Sequence, residues 1–178
     1  TQGDLIFDCP VSVWKKDRPK LSGKSETEIL KSSIDIISAD VVVMTQACDL
    51  ENNKLSNVTL CPHIAVSEYK SLLETETISK GQNFTTKKWD KYVSELENGA
   101  IWHKSLLNSN DTKKIPFEHR IVNFYEVYTI PRTFLDNLLK KRKIPRPRLL
   151  PPYREHLSQA FARFYMRVGL PTPINKIS

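Results

Sequence analysis

The chain has 178 residues, a formal net charge of +7, 39% hydrophobic and 26% charged residues. That length suits one domain with a sizeable core, and no apolar run approaches the roughly 18 residues a membrane span needs. Three cysteines, Cys9, Cys48 and Cys61, do not make a disulfide framework and point to a reducing compartment, the cytoplasm.

In chain order, residues 3–14 read as the first strand, and their start lacks both the basic and the apolar region of a signal peptide. No initiator Met is present, which points to a short upstream piece. Residues 15–33, polar and punctuated by Gly and Pro, read as a long mobile loop. A second strand spans 34–46 and runs through Val41-Val42-Val43-Met44 into the polar turn Gln46-Ala47-Cys48-Asp49-Leu50-Glu51-Asn52. A third strand spans 58–66, and Ser67 is suited to cap a short helix over 67–74.

Next comes a helix on which Trp89, Tyr92, Val93 and Leu96 recur at i, i+3, i+4 and i+7, stopped by Gly99. Strands follow at 100–107 and 120–130, the latter read as one alternating strand. Pro131 opens a helix whose buried stripe is Phe134, Leu135, Leu138 and Leu139. The alternating prolines of "KIPRPR" predict an extended arm. A last helix starts at Pro152 and ends before Gly169; Leu157, Phe161, Phe164 and Val168 share a face about 60° wide. His156, Arg163 and Arg167 form the stripe beside it.

The charge is concentrated. Lys140, Lys141, Arg142, Lys143, Arg146, Arg148, Arg154, Arg163 and Arg167 face only Glu155 in their window, so it carries +8 while residues 1–139 carry about −2. Such a segment is the electrostatic footprint of phosphate contacts. Lys140, Lys141, Arg142, Lys143, Arg146, Arg148, Arg163 and Arg167 are therefore the candidate nucleic-acid-binding residues. An acidic protein partner is the competing reading of the arm; an anionic membrane is disfavoured because prolines interrupt its apolar residues.

Cys48 is a candidate nucleophile if a base lowers its pKa, with Asp49 beside it and His63 on the neighbouring strand; His103 and His119 are other bases. The bland alternative makes Cys48 a turn residue and Asp49 its cap. Cys9, Cys48, Cys61 and His63 supply enough zinc ligands, yet they contain no C-x-x-C pair, and the acids Asp4, Asp8, Asp40, Asp49 and Glu51 have no diagnostic metal spacing. No cofactor and no metal are expected.

Strand order and the long first loop predict an α+β protein: a small, strongly bent antiparallel SH3-like barrel with inserted helices over 1–130, and a helical basic tail over 131–178 packed on it. "GDLIFDCP", a loop, and "DVVVMTQACDLENNKLSNVTLCPHIAV" resemble the PemK/MazF toxin family over about residues 3–75. The chain also resembles small bacterial proteins with a Q-x-C-D-L turn. The toxin resemblance implies RNA as the ligand and a Ser or Thr after the third strand, matched by Ser67. It also implies an Arg just before the second strand, where this chain has Ala39-Asp40. The expected function is thus a nucleic-acid-associated binding module, RNA ahead of DNA. Its rivals are a divergent ribonuclease or thiol-dependent enzyme at Cys48, and a protein-interaction subunit of a larger complex.

Overall fold

A computed structural model describes residues 1–15, 25–111 and 115–166. The chain runs β1 (Leu5–Trp14), α1 (Glu26–Ser32), β2 (Ile34–Val43), α2 (Ala47–Glu51), β3 (Asn57–Ala65), α3 (Val66–Ser79), α4 (Thr86–Glu97), β4 (Lys104–Leu107), β5 (Arg120–Asn123), β6 (Tyr128–Pro131), α5 (Arg132–Arg142) and α6 (Tyr153–Tyr165). The strands form one antiparallel sheet of order β1-β2-β3-β5-β4, with β6 also paired to β3. The fold is α+β, and the pairings make an open path rather than a closed ring.

Both faces of the sheet are covered, which accounts for the uninterrupted apolar run in β2. Val41 and Val43 join Ile6, Cys9, Val58, Leu60 and Ile130 in a core closed by Leu135 of α5. Val42 and Met44 point the other way, to Leu5, Cys61, Val122, Phe124 and Leu157 of α6. A strand buried on both sides loses the alternation of a half-exposed one. At about 1.5–3 kcal/mol per buried Val or Met side chain, these four residues are a large share of the driving force for docking both helices.

Residues 120–130 differ from the single strand expected. Val122 lies opposite His63, and Tyr128 opposite Leu60, so six residues of one path face three of the other. The excess forms a break at 124–127 that turns Phe124 fully into the core and leaves Tyr125 exposed. Inserting an odd number of residues reverses the side-chain parity, so β5 and β6 carry the alternation in opposite phase.

The 15–33 loop is corrected in part. Ser25 and Glu28 form a reciprocal capping box, and α1 follows with Ile29 buried; residues 16–24 lie outside the described residues. The "KIPRPR" arm is extended and stitched to the start of β1. Leu5 N–H donates to Pro147 O, and Leu149 N–H to Gly3 O. Gly3 has φ +79°, and a Cβ there would stand 3.1 Å from Leu149 Cβ, so this crossing favours glycine. The helix starts differ from the expected caps: α3 is capped at Ala65, two residues before Ser67, and Pro131 is the N-cap of α5 rather than its first residue.

Candidate functional site

A bulge in β1 organises the polar centre of the molecule. Ile6 pairs with Val41 and Cys9 with Ala39, so Phe7 and Asp8 together face Asp40. Asp8 adopts φ 51°, a left-handed conformation that Asp tolerates better than most residues. Its N–H donates to Asp40 Oδ1 at 3.0 Å. The other oxygen of Asp40 accepts from Arg120 Nη2, reaching across from β5. Arg120 Nε–H donates to His63 Nδ1 at 2.7 Å, and the guanidinium lies over the Phe7 ring at 5.1 Å. Phe7 meets His63 edge-on, with ring centroids 5.5 Å apart.

Four strands thus converge on one buried guanidinium. Arg120 is 7% exposed and His63 5%. Burial pushes the His63 imidazole down to about 3, and the Arg120 charge pushes the same way, against a backbone contact from Val41 that raises it. The ring is neutral at ordinary pH with Nδ1 unprotonated, since that nitrogen accepts from Arg120. Such a group is a structural acceptor and cannot supply a proton near neutrality.

Beside this centre, Ser67 in the first turn of α3 donates Oγ–H to Glu118 Oε1 at 2.6 Å, and its N–H donates to Oε2 at 3.3 Å. These bonds, with the Ser67 hydroxyl first, hold the Glu118 carboxyl below its usual range. Glu118 therefore acts as an external cap for α3, an arrangement that satisfies one free N–H and suits the helix dipole.

The polar turn expected at 46–52 is a short helix, α2. Cys48 is exposed, with Sγ 3.7 Å from Gln46 Oε1 and 3.8 Å from Asp49 Oδ1; Asp49 pairs with Lys54 at 3.7 Å. Cys48 and His63 are not brought together: the imidazole meets Arg120, Phe7 and the Val41 backbone, the thiol Gln46 and Asp49. Cys9 and Cys61 are buried, and burial pushes the Cys61 thiol up to about 12. Among the described residues no group of three or more His, Cys, Asp or Glu is placed to hold a metal ion. Leu50 and Glu51 instead line a cleft of about 230 Å³ with Asp4, Arg132, Leu135 and Arg146.

The basic segment divides in two. Arg146 Nε donates to Asp4 Oδ2 at 2.9 Å, and Arg148 Nε to Asp4 Oδ1 at 2.5 Å. Burial works to raise the Asp4 carboxyl, but donors from Arg148, the Thr1 amine and Arg146 outweigh it and hold it below the usual range. Arg142 donates to the bulge carbonyls, Phe7 O at 2.6 Å and Asp8 O at 2.5 Å. Lys140, Lys141 and Lys143 remain exposed, as does Arg163 on α6, and none has an ion pair among the described residues. Arg167 lies outside the described residues.

Sequence reasoning missed Arg120, Phe7 and Glu118, and weighed Asp40 only as one of several strand-end acids for a metal. The available signal was an arginine opening a strand of otherwise buried residues, a cost the fold accepts only when the charge has partners. No family model, curated protein or solved structure matches the chain. Among the described residues no helix is long and apolar enough to cross a membrane.

Proposed function

We propose that the protein is a nucleic-acid-associated binding module, RNA ahead of DNA, built on an opened, strongly bent sheet of the SH3-like, PemK/MazF kind. The observation that carries this reading is the end of α5. Arg142 is bonded to the bulge carbonyls, so Lys140, Lys141 and Lys143 are held at a fixed place on the surface, with no carboxylate partner among the described residues. Cations held this way lose less freedom on meeting phosphate than cations on a solvated tail. The resemblance adds the preference for RNA. Its arginine is absent, since Ala39-Asp40 stands at that position, which speaks against cleavage and leaves binding as the reading. Three unpaired cysteines agree with a reducing, cytoplasmic setting.

The test is binding to labelled single-stranded RNA and duplex DNA from about 50 to 200 mM salt, with the same gels read for cleavage. Affinity that falls steeply with salt supports the reading, and tighter binding to RNA supports the preference. No binding to either at the lowest salt overturns it.

A protein partner is the second reading, favoured by the outer half of the β1–β2 hairpin. Trp14, Ile34 and Ile36 lie on one face of that hairpin, with Ile36 70% exposed. A partner bound with little salt dependence, together with no nucleic-acid affinity, would select it.

A further inference from the structure

The segment between β3 and β5 builds a second polar site, remote in sequence from the basic arm. α3 contributes Tyr69, α4 contributes Trp89 and Tyr92, and β4 contributes Lys104. Tyr69 and Tyr92 stack with centroids 5.7 Å apart, and Tyr92 stacks on Trp89 at the same separation. Lys104 Nζ lies over both phenol rings, 4.6 Å from the Tyr69 centroid and 5.5 Å from that of Tyr92. It also donates to both hydroxyls, at 2.6 Å to Tyr69 and 3.0 Å to Tyr92. Lys70 lies over the outer ring of the stack, 5.6 Å from the Trp89 centroid.

Counting donors shows what this arrangement leaves over. An ammonium has three N–H donors, and Lys104 spends two on the phenols. The Tyr92 hydroxyl donates to Tyr69 at 3.2 Å. The Tyr69 oxygen thus accepts from both Lys104 and Tyr92, which fills its lone pairs and turns its own O–H outward. One N–H and one O–H have no acceptor among the described residues, around a half-buried positive charge. Acids occur on the same helices, Glu68, Glu74 and Glu76 on α3, Asp90, Glu95 and Glu97 on α4; Glu76 pairs with Lys80. None of them pairs with Lys104, and Glu95 pairs with Lys91. A half-buried ammonium without a counter-ion is an arrangement that a bound anion completes.

We propose that Lys104 and Tyr69, oriented by Tyr92, form a receptor for a single phosphoryl group. The ammonium supplies charge and one donor, and the Tyr69 hydroxyl supplies the second donor. Tyr92 is a positioning residue: burial first, then its bond to Tyr69, keeps it protonated and donating. This proposal does not rest on the nucleic-acid reading, because the free anion and a phosphate of a polymer present the same oxygens.

The experiment uses the full chain. Inorganic phosphate is titrated against chloride at matched ionic strength, following the Lys ammonium and Tyr ring NMR signals and the melting temperature. Wild type is expected to saturate and to melt higher. Lys104→Met is expected to lose the response, and Tyr69→Phe, which keeps the ring stack, to weaken it about tenfold. Lys140→Gln/Lys141→Gln/Lys143→Gln is expected to keep it, which separates this site from the α5 end. A short single-stranded oligonucleotide then reports the source: competition with phosphate assigns the site to a polymer phosphate, and none assigns it to a free phosphorylated molecule. No saturable response in wild type, or an equal response in folded Lys104→Met, overturns the proposal and leaves a structural clasp between α3, α4 and β4.

Discussion

His63 ties a residue's chemistry to the stability of the whole sheet. Its imidazole titrates near 6.5 in an unfolded chain and is pushed to about 3 when folded, by burial and by the neighbouring Arg120 charge. Between those values the unfolded chain binds a proton that the folded chain refuses. Stability therefore rises with pH through this window and is lost as pH falls, by at most about 1.4 kcal/mol per unit. Melting should drop from pH 6.5 to 4.5 in wild type and drop less in His63→Asn, whose side-chain oxygen still accepts from Arg120. Equal slopes in the two proteins would refute the assignment. Asp4 matters only in more acid solution than pH 4.5, because its carboxyl is held below the usual range. Its weight appears on substitution: Asp4→Asn leaves two arginines facing a neutral amide in a site where the Asp side chain is 1% exposed. Both arginines are a third or more exposed, so water repays part of the loss. A cost of about 2 kcal/mol is expected in urea unfolding, below that of a fully buried pair.

At the scale of elements, the strands were legible wherever burial is continuous. Val41 to Met44 and the Val58-Thr59-Leu60-Cys61 stretch of β3 state their conformation locally. The break at 124–127 was not legible, because Phe124 and Tyr125 are good strand residues and only their partners across β3 reveal the slipped register. α1 was legible and was missed: Ser25-Glu26-Thr27-Glu28 is an S-x-x-E capping signal inside a stretch read as a loop. The helix has only seven residues and one buried side chain, so its cap carries unusual weight. Ser25→Ala is expected to cost α1 about 1 kcal/mol, seen as faster hydrogen exchange at the Ile29 amide, which bonds to Ser25 O. Amides in β3 should be unchanged; exchange rising equally in both would mean that α1 has no stability of its own.

Across the whole molecule, the +8 window contains both arginines bonded inward and exposed lysines, a difference that composition cannot show. Arg146 and Arg148 find Asp4 more than 140 positions away in sequence, so no local pattern marks them as inward-facing. Arg142 is likewise committed to the carbonyls of the β1 bulge. The lysines differ in kind as well as place. A guanidinium offers several donors in a fixed fork and suits an internal clasp, whereas a lysine keeps its compact charge in water. Arg146→Gln should therefore lower the melting temperature by several degrees, since about 1–2 kcal/mol is lost from a chain of this size. It should leave the salt dependence of nucleic-acid binding unchanged. Lys140→Gln/Lys141→Gln/Lys143→Gln should do the reverse, sparing the fold while reducing the slope of log affinity against log salt by about 2 on a single strand. Measuring melting and salt slope on the same two proteins decides the division of labour. If Arg146→Gln flattens the salt slope as much as the triple lysine change, the arginines meet phosphate too and the Asp4 clasp opens on binding.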